Sequence, residues 1–120
     1  MPDILKCRIE DTHSLQLVVP SPGVSEGKMG MINKTVYAWL EDYATGELGI
    51  KIIEAERIVL PKVAATVFAV GDWVFFDPVT STLTTTASGH YRCGVCRAAA
   101  AASTTTVEVD FTGNNAIYVP

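Results

Sequence analysis

The sequence has little charge, few histidines and no long apolar run, and each shortage removes a class of function. Only 18% of its 120 residues are charged, where about a quarter is usual. The nine lysines and arginines are scattered and the net charge is −4, which argues against a nucleic-acid-binding surface. No stretch approaches the roughly 18 consecutive apolar residues of a membrane span. We therefore expect a soluble protein that binds neither nucleic acid nor membrane.

We expect no secretory signal at the N-terminus, because residues 1–10 mix charges with short apolar stretches and lack a small-residue cleavage site. The three cysteines leave an odd one in any pairing. We expect reduced thiols and synthesis in the cytoplasm. A chain of 120 residues predicts one domain. Since 48% of the residues are apolar, some apolar surface should be reserved for partners.

Short alternating stretches between turn residues predict an all-β fold, a compact β-sandwich or barrel of short strands with little helix. The clearest two-residue period runs over residues 104–111, and further strands are predicted over 73–76 and 91–97. Residues 98–102 are all alanine and fit either a turn of helix or a flat packed patch. For residues 52–59 strands are favoured, because the alternating positions are apolar or β-branched, but a helix stays open as the alternative.

The strand predicted over 73–76 has large apolar side chains on both faces. Val74 and Phe76 would face one side, and Trp73 and Phe75 would face the other. One face can enter the core. The other must be covered by a second element of the fold or by another subunit, since aromatic residues anchor protein interfaces. Trp73 and Phe75 are therefore candidate interface residues.

Cys93 and Cys96 form a C-x-x-C pair close to His90, as in half of a zinc knuckle. A structural zinc site needs four ligands, and the other candidates, Cys7 and His13, lie far upstream without a paired spacing. The favoured interpretation places Cys93 and Cys96 on opposite faces of a strand as small apolar residues. A redox pair would sit at a helix N-terminus in a βαβ context, which the pattern lacks. A small zinc-binding or regulatory module is the alternative function.

The sequence contains no recognisable catalytic motif. Its two histidines lie outside any nucleophile motif such as G-x-S-x-G. Residues 23–28 faintly suggest a phosphate loop, but one residue is missing between the glycines, and Met29 stands where a magnesium-binding hydroxyl is needed. We predict a protein without enzymatic activity, cofactor or metal.

The succession of motifs in the C-terminal half resembles the capsid cement, or decoration, proteins of tailed bacteriophages. It consists of a leucine-proline-lysine segment, a glycine-aspartate strand with an aromatic end, a threonine-rich hairpin, a glycine-valine strand before alanines, and a final alternating strand. These segments are residues 60–62, 71–77, 83–89, 94–102 and 106–109. The resemblance spans roughly residues 15–110 and is looser in the first half. The sequence departs from the family pattern at Trp73, where a small residue is usual, and at the cysteines, where aliphatic residues are usual.

The resemblance implies a virion structural protein, made in the host cytoplasm, that docks on the outer surface of the assembled phage head and stabilises it. Its partner would be the major capsid protein, and it would form a small homo-oligomer, a dimer or a trimer. Residues 1–14 are predicted to be an N-terminal arm, with residues 15–120 as the β domain. The arm places apolar side chains among charges, so it should order on a neighbouring subunit or on the shell. Its candidate interface residues are Ile4, Leu5 and Ile9.

Overall fold

The computed structural model describes residues 4–8 and 11–120, which include nine strands and a short 3₁₀ turn at Gly113–Asn115. The strands are β1 (Thr12–Val18), β2 (Met29–Ile32), β3 (Thr35–Trp39), β4 (Leu48–Pro61), β5 (Trp73–Asp77), β6 (Thr82–Thr84), β7 (His90–Ala98), β8 (Thr106–Thr112) and β9 (Ile117–Val119). No α-helix occurs among the described residues, and the all-β prediction is confirmed. None of the described residues forms a helix that could span a membrane.

The strands form a nearly closed antiparallel barrel of seven strands in the order β2-β3-β4-β8-β7-β5-β6. β1 pairs with β4 and β9 pairs with β7 outside this order. The chain just beyond β4 approaches β6 through a bridge between Lys62 and Leu83, where the Val63 N–H donates to the Leu83 carbonyl at 2.8 Å. Closure of this kind removes most of the exposed sheet edges that would otherwise pair with other chains.

β4 is one strand of 14 residues, which confirms the preference for strand over helix at residues 52–59. Its first half pairs with β1 and β3, and its second half pairs with β8. The register shifts once against β1 and once more against β8, between Ala55 and Ile58. These shifts bring Ile52, Ala55 and Ile58 into the core although they are spaced by three residues rather than two.

The described part of the N-terminal segment lies along β4. The Ile4 carbonyl accepts the Val59 N–H at 2.8 Å, and the Lys6 N–H donates to the Arg57 carbonyl at 3.0 Å. Between them, Leu5 is 5% exposed and belongs to the core cluster. The boundary at residue 14 stays a prediction, but these contacts join residues 4–6 to the domain, and β1 already begins at Thr12.

The core fills the barrel with apolar side chains from β2 to β8 and from segments between the strands, whereas β1 contributes no buried side chain. Its largest fully buried members include Phe68, Phe76, Phe111, Ile58 and Leu60. The alanine run forms no turn of helix, and it is packed only in part, since Ala100 is buried and the other four alanines are exposed. Ala100 exchanges two backbone hydrogen bonds with Phe68, both at 3.0 Å.

Candidate functional site

Four residues on the outer face of β5, β7 and β9 form a continuous group that we call the Trp73 surface: Trp73, Arg92, Val95 and Ile117. Trp73 lies directly opposite Val95, and Arg92 lies opposite Ile117. Residues directly opposite each other in a sheet share a face. Trp73 is 54% exposed and Ile117 is 51% exposed. The surface is therefore apolar and accessible, with one cation in it.

Arg92 lies over the Trp73 ring, with its guanidinium carbon 4.4 Å from the ring centroid. A cation stacked on an exposed tryptophan contributes about 0.5–1 kcal/mol. This contact restrains the rotamer of Trp73, so that a partner binding the ring would have less side-chain entropy to remove. Tryptophan and arginine are also the residue types most enriched among energetic hot spots of interfaces.

The alternation predicted for residues 73–76 is confirmed on the core side, because Val74 and Phe76 are buried. On the outer side, the two candidates differ. Phe75 is 8% exposed and is covered within its own chain, whereas Trp73 is left at the surface. A binding partner would thus reach Trp73 directly and Phe75 only at its edge.

The N-terminal candidate interface residues also differ in burial. Leu5 is buried in the core of its own chain, while Ile4 is half-buried and lines an open groove of about 430 Å³. Met29, Val59 and Pro61 contribute to the same groove. Ile9 lies outside the described residues. Among the predicted interface residues that are described, Ile4 and Trp73 therefore keep accessible apolar surface.

β1 forms a second exposed surface, the β1 surface, whose apolar members are Leu15 and Leu17. Both are exposed, and on the opposite face of the strand Val18, beside Leu48 on β4, is 68% exposed. Among the described residues, the part of β1 from residue 13 to 18 pairs only with β4, so the other edge of that part presents unpaired backbone groups. An exposed apolar edge strand of this kind is a template for pairing with another chain.

Sequence reasoning missed Arg92 and Ile117 as site residues. β9 is only three residues long and carried no strand prediction, so nothing local placed Ile117 opposite Arg92. The stacking of Arg92 on Trp73 joins positions on different strands, and a single sequence contains no signal for such a pairing. The hydrophobic alternation around Trp73 was the part of the site that the sequence could reveal.

Cys93 and Cys96 do not lie on opposite faces as predicted, because both are buried in the same core cluster. The reason is a β-bulge: Val74 pairs with Gly94 and Phe75 pairs with Arg92, which leaves Cys93 without a partner on β5. An extra residue in a strand resets the alternation of side chains. Burial raises the pKa of Cys93 to about 12 and also raises the pKa of Cys96. Redox enzymes need the opposite shift.

The geometry gives little support to the alternative of a zinc-binding module. The described residues contain no cluster of three or more histidine, cysteine or acidic side chains that could hold a metal ion. His90 approaches the Thr86 carbonyl with its Nδ1 at 2.8 Å, and His13 contacts Glu54 at 2.7 Å.

The raised pKa of Cys93 predicts a specific loss of stability in alkali. The folded state holds the thiol proton of Cys93 more tightly than the unfolded state does. The contribution of this protonation to the free energy of unfolding is therefore intact below pH 9 and is lost as the pH rises from 9 towards about 12. At a pH of about 10.5 the loss should reach about 2 kcal/mol. Cys93→Ala removes this titration, so its stability deficit relative to the original protein should shrink as the pH rises.

Urea unfolding at a pH of about 8 and about 10.5 measures this difference. The matched control is Val109→Ala, another fully buried core position, whose side chain does not titrate. Its deficit should be the same at both pH values. An equal deficit for Cys93→Ala at both pH values would contradict the prediction.

A family model described as phage cement protein matches residues 9–111, most of the chain. The protein belongs to this family. The match includes β1 to β7 and β8 up to Phe111, and therefore Trp73, Arg92 and Val95 of the Trp73 surface but not Ile117. No curated protein and no solved structure matches the chain significantly. Membership confirms the resemblance seen in the sequence, and it gives this cement protein a structural, non-enzymatic role on the phage capsid.

Proposed function

We propose that this cement protein docks on the outer surface of the assembled phage head through the Trp73 surface and stabilises the shell. The observation that carries the proposal is the exposure of Trp73. The other tryptophan, Trp39, is 3% exposed and packs edge-on against Tyr37 and Tyr43. The fold therefore buries one tryptophan fully and leaves the other outside, where burial by a partner would gain a large apolar contact.

The proposed mechanism is mass action. A protein that binds the assembled lattice better than the free capsid subunits stabilises the lattice by RT ln(1 + [L]/Kd). This is about 2.7 kcal/mol for each site at a free concentration of about one hundred times Kd. Because a shell repeats the site many times, modest contributions spread over the lattice could oppose internal DNA pressure and heat. Stabilisation by binding requires no catalytic group.

The mechanism predicts that decorated heads release their DNA at a higher temperature than undecorated heads of the same phage. Both preparations should be heated at equal ionic strength, with release followed by a DNA-binding dye and occupancy determined by gel densitometry. The release temperature should rise with occupancy. Identical release temperatures at full occupancy would exclude stabilisation and would leave attachment alone.

We also propose that the β1 surface joins copies of this cement protein into the small oligomer expected from the resemblance. Leu15 and Leu17 alternate along β1 and lie opposite Lys51 and Gly49 of β4, so they share one face of the sheet. A second chain paired with the free edge of β1 over residues 13–18 would satisfy the backbone groups there and cover these leucines. The Trp73 surface would then stay available for the capsid.

Replacing Leu15 and Leu17 together with lysine should convert the oligomer into a monomer, because two charges would have to be buried in the contact. Light scattering coupled to gel filtration measures the mass over a range of concentrations. The control is Val79→Lys, at a turn residue that is 90% exposed and lies outside both surfaces. An oligomer of unchanged mass in the double variant would contradict this assignment of β1.

A further inference from the structure

Arg92 differs from the other arginines in its surroundings. The sequence contains four arginines, and three of them lie beside carboxylates of their own chain. These pairs are Arg8 with Asp11 at 3.4 Å, Arg57 with Glu108 at 3.1 Å and Arg97 with Asp110 at 3.1 Å. Among the described residues Arg92 has no carboxylate within ion-pair distance. Arg92 instead stacks on the ring of Trp73.

The neighbours of Arg92 explain why it stays without a counter-charge. The residues directly opposite it on the two adjoining strands are Phe75 and Ile117, both apolar. The Trp73 ring covers one side of the guanidinium. Arg92 is itself half-buried, so part of its hydration is replaced by apolar contacts. Stacking leaves the edge of a guanidinium, with its fork of N–H donors, open to a ligand in the same plane.

A planar, restrained and partly desolvated guanidinium is the group that binds carboxylates in a bidentate manner. We infer that Arg92 binds an aspartate or glutamate side chain of the capsid protein, while apolar groups beside that carboxylate pack on Trp73 and Ile117. This inference rests on the proposed function and specifies its partner's chemistry. It selects a single protein carboxylate rather than a polyanion, because the flanking residues are apolar and the chain carries a net charge of −4.

The contact also defines the register of docking. An apolar surface alone tolerates sliding, whereas a bidentate ion pair fixes both distance and orientation. Once the surface is covered, the pair is shielded from solvent and is worth more than an exposed salt bridge. Arg92 would thus add specificity to a contact whose apolar area is supplied mainly by Trp73.

The test measures binding of purified protein to undecorated heads of the same phage, for the original chain, Arg92→Gln and Arg92→Lys. Arg92→Gln should bind about thirtyfold more weakly or worse. Arg92→Lys retains the charge but loses the planar fork, and we expect about a tenfold loss. The matched control is Arg97→Gln, on the same strand, whose cation is already paired with Asp110. It should bind within about twofold of the original protein.

Salt dependence separates recognition of a carboxylate from simple support of Trp73. Raising sodium chloride from about 50 to about 500 mM should weaken the original protein about threefold and Arg92→Gln less. Equal affinity of Arg92→Gln and the original protein would overturn the inference and leave the proposed function standing. The inference would also be overturned if Arg92→Gln bound heads more weakly but its affinity depended on salt as strongly as that of the original protein. The same holds if the oligomer mass changed without a change in head binding. No binding by the original protein would overturn both.

Discussion

Trp73→Ala is expected to weaken attachment to heads by at least about 2 kcal/mol for each site, about thirtyfold in Kd. The loss arises because the ring is the largest accessible apolar group of the Trp73 surface and also supports Arg92 at 4.4 Å. The free domain should stay folded, because a side chain that is 54% exposed leaves no sealed cavity when it is removed. At limiting protein, occupancy of the shell and the DNA release temperature should fall together.

The matched control is Val79→Ala, since Val79 is an exposed apolar residue outside both surfaces. It should leave occupancy and release temperature unchanged. Thermal unfolding of both free variants by circular dichroism checks that the domain is intact. If Trp73→Ala decorated heads as fully as the original protein at limiting concentration, the Trp73 surface could not be the anchor. Attachment through the β1 surface or the groove beside Ile4 would then be the next hypothesis to test.

Gly94→Ala should be strongly destabilising, with a loss of about 3 kcal/mol or more in the free energy of unfolding. A Cβ on Gly94 would overlap the backbone carbonyl oxygen of Asp110 on β8. That oxygen cannot move freely, because β7 and β8 are held together by consecutive pairs, among them Gly94 with Phe111 and Val95 with Asp110. A glycine in a strand marks such a close approach of two backbones.

Urea unfolding of Gly94→Ala beside Gly46→Ala separates crowding from backbone conformation. Gly46 has a φ of +86° and nothing within 4 Å of an added Cβ, so its replacement should cost only about 1 kcal/mol. Gly94→Ala should lose much more, or should fail to fold. A loss no larger than that of Gly46→Ala would mean that β7 and β8 can separate locally without strain.

The sequence pattern favoured strands over residues 52–59 but left a helix as the alternative. The structure explains this ambiguity. The core residues Ile52, Ala55 and Ile58 recur every three residues, as they would on one face of a helix. The spacing comes instead from register shifts against β1 and β8. A bulge depends on which strands pair, so a single sequence does not distinguish it from helical periodicity.

The cysteine pair illustrates the same limit. Strict alternation puts residues three apart on opposite faces, which is why Cys93 and Cys96 were separated in the prediction. The bulge at Cys93 brings both into the core. The conclusion that they behave as small apolar residues was correct for burial, but the geometry behind it was wrong.

By itself the sequence determined the fold class, the turns that divide the strands and the family, because alternation, turn residues and the order of motifs are local properties of the chain. Only the tertiary structure decided which apolar residues stay outside. Trp39 and Trp73 each lie in a β-strand, yet the first is covered by Tyr37 and Tyr43 and the second is left exposed beside Arg92. Exposure depends on which strands meet across the sheet, and that is settled by long-range pairing rather than by any residue's own neighbours in sequence.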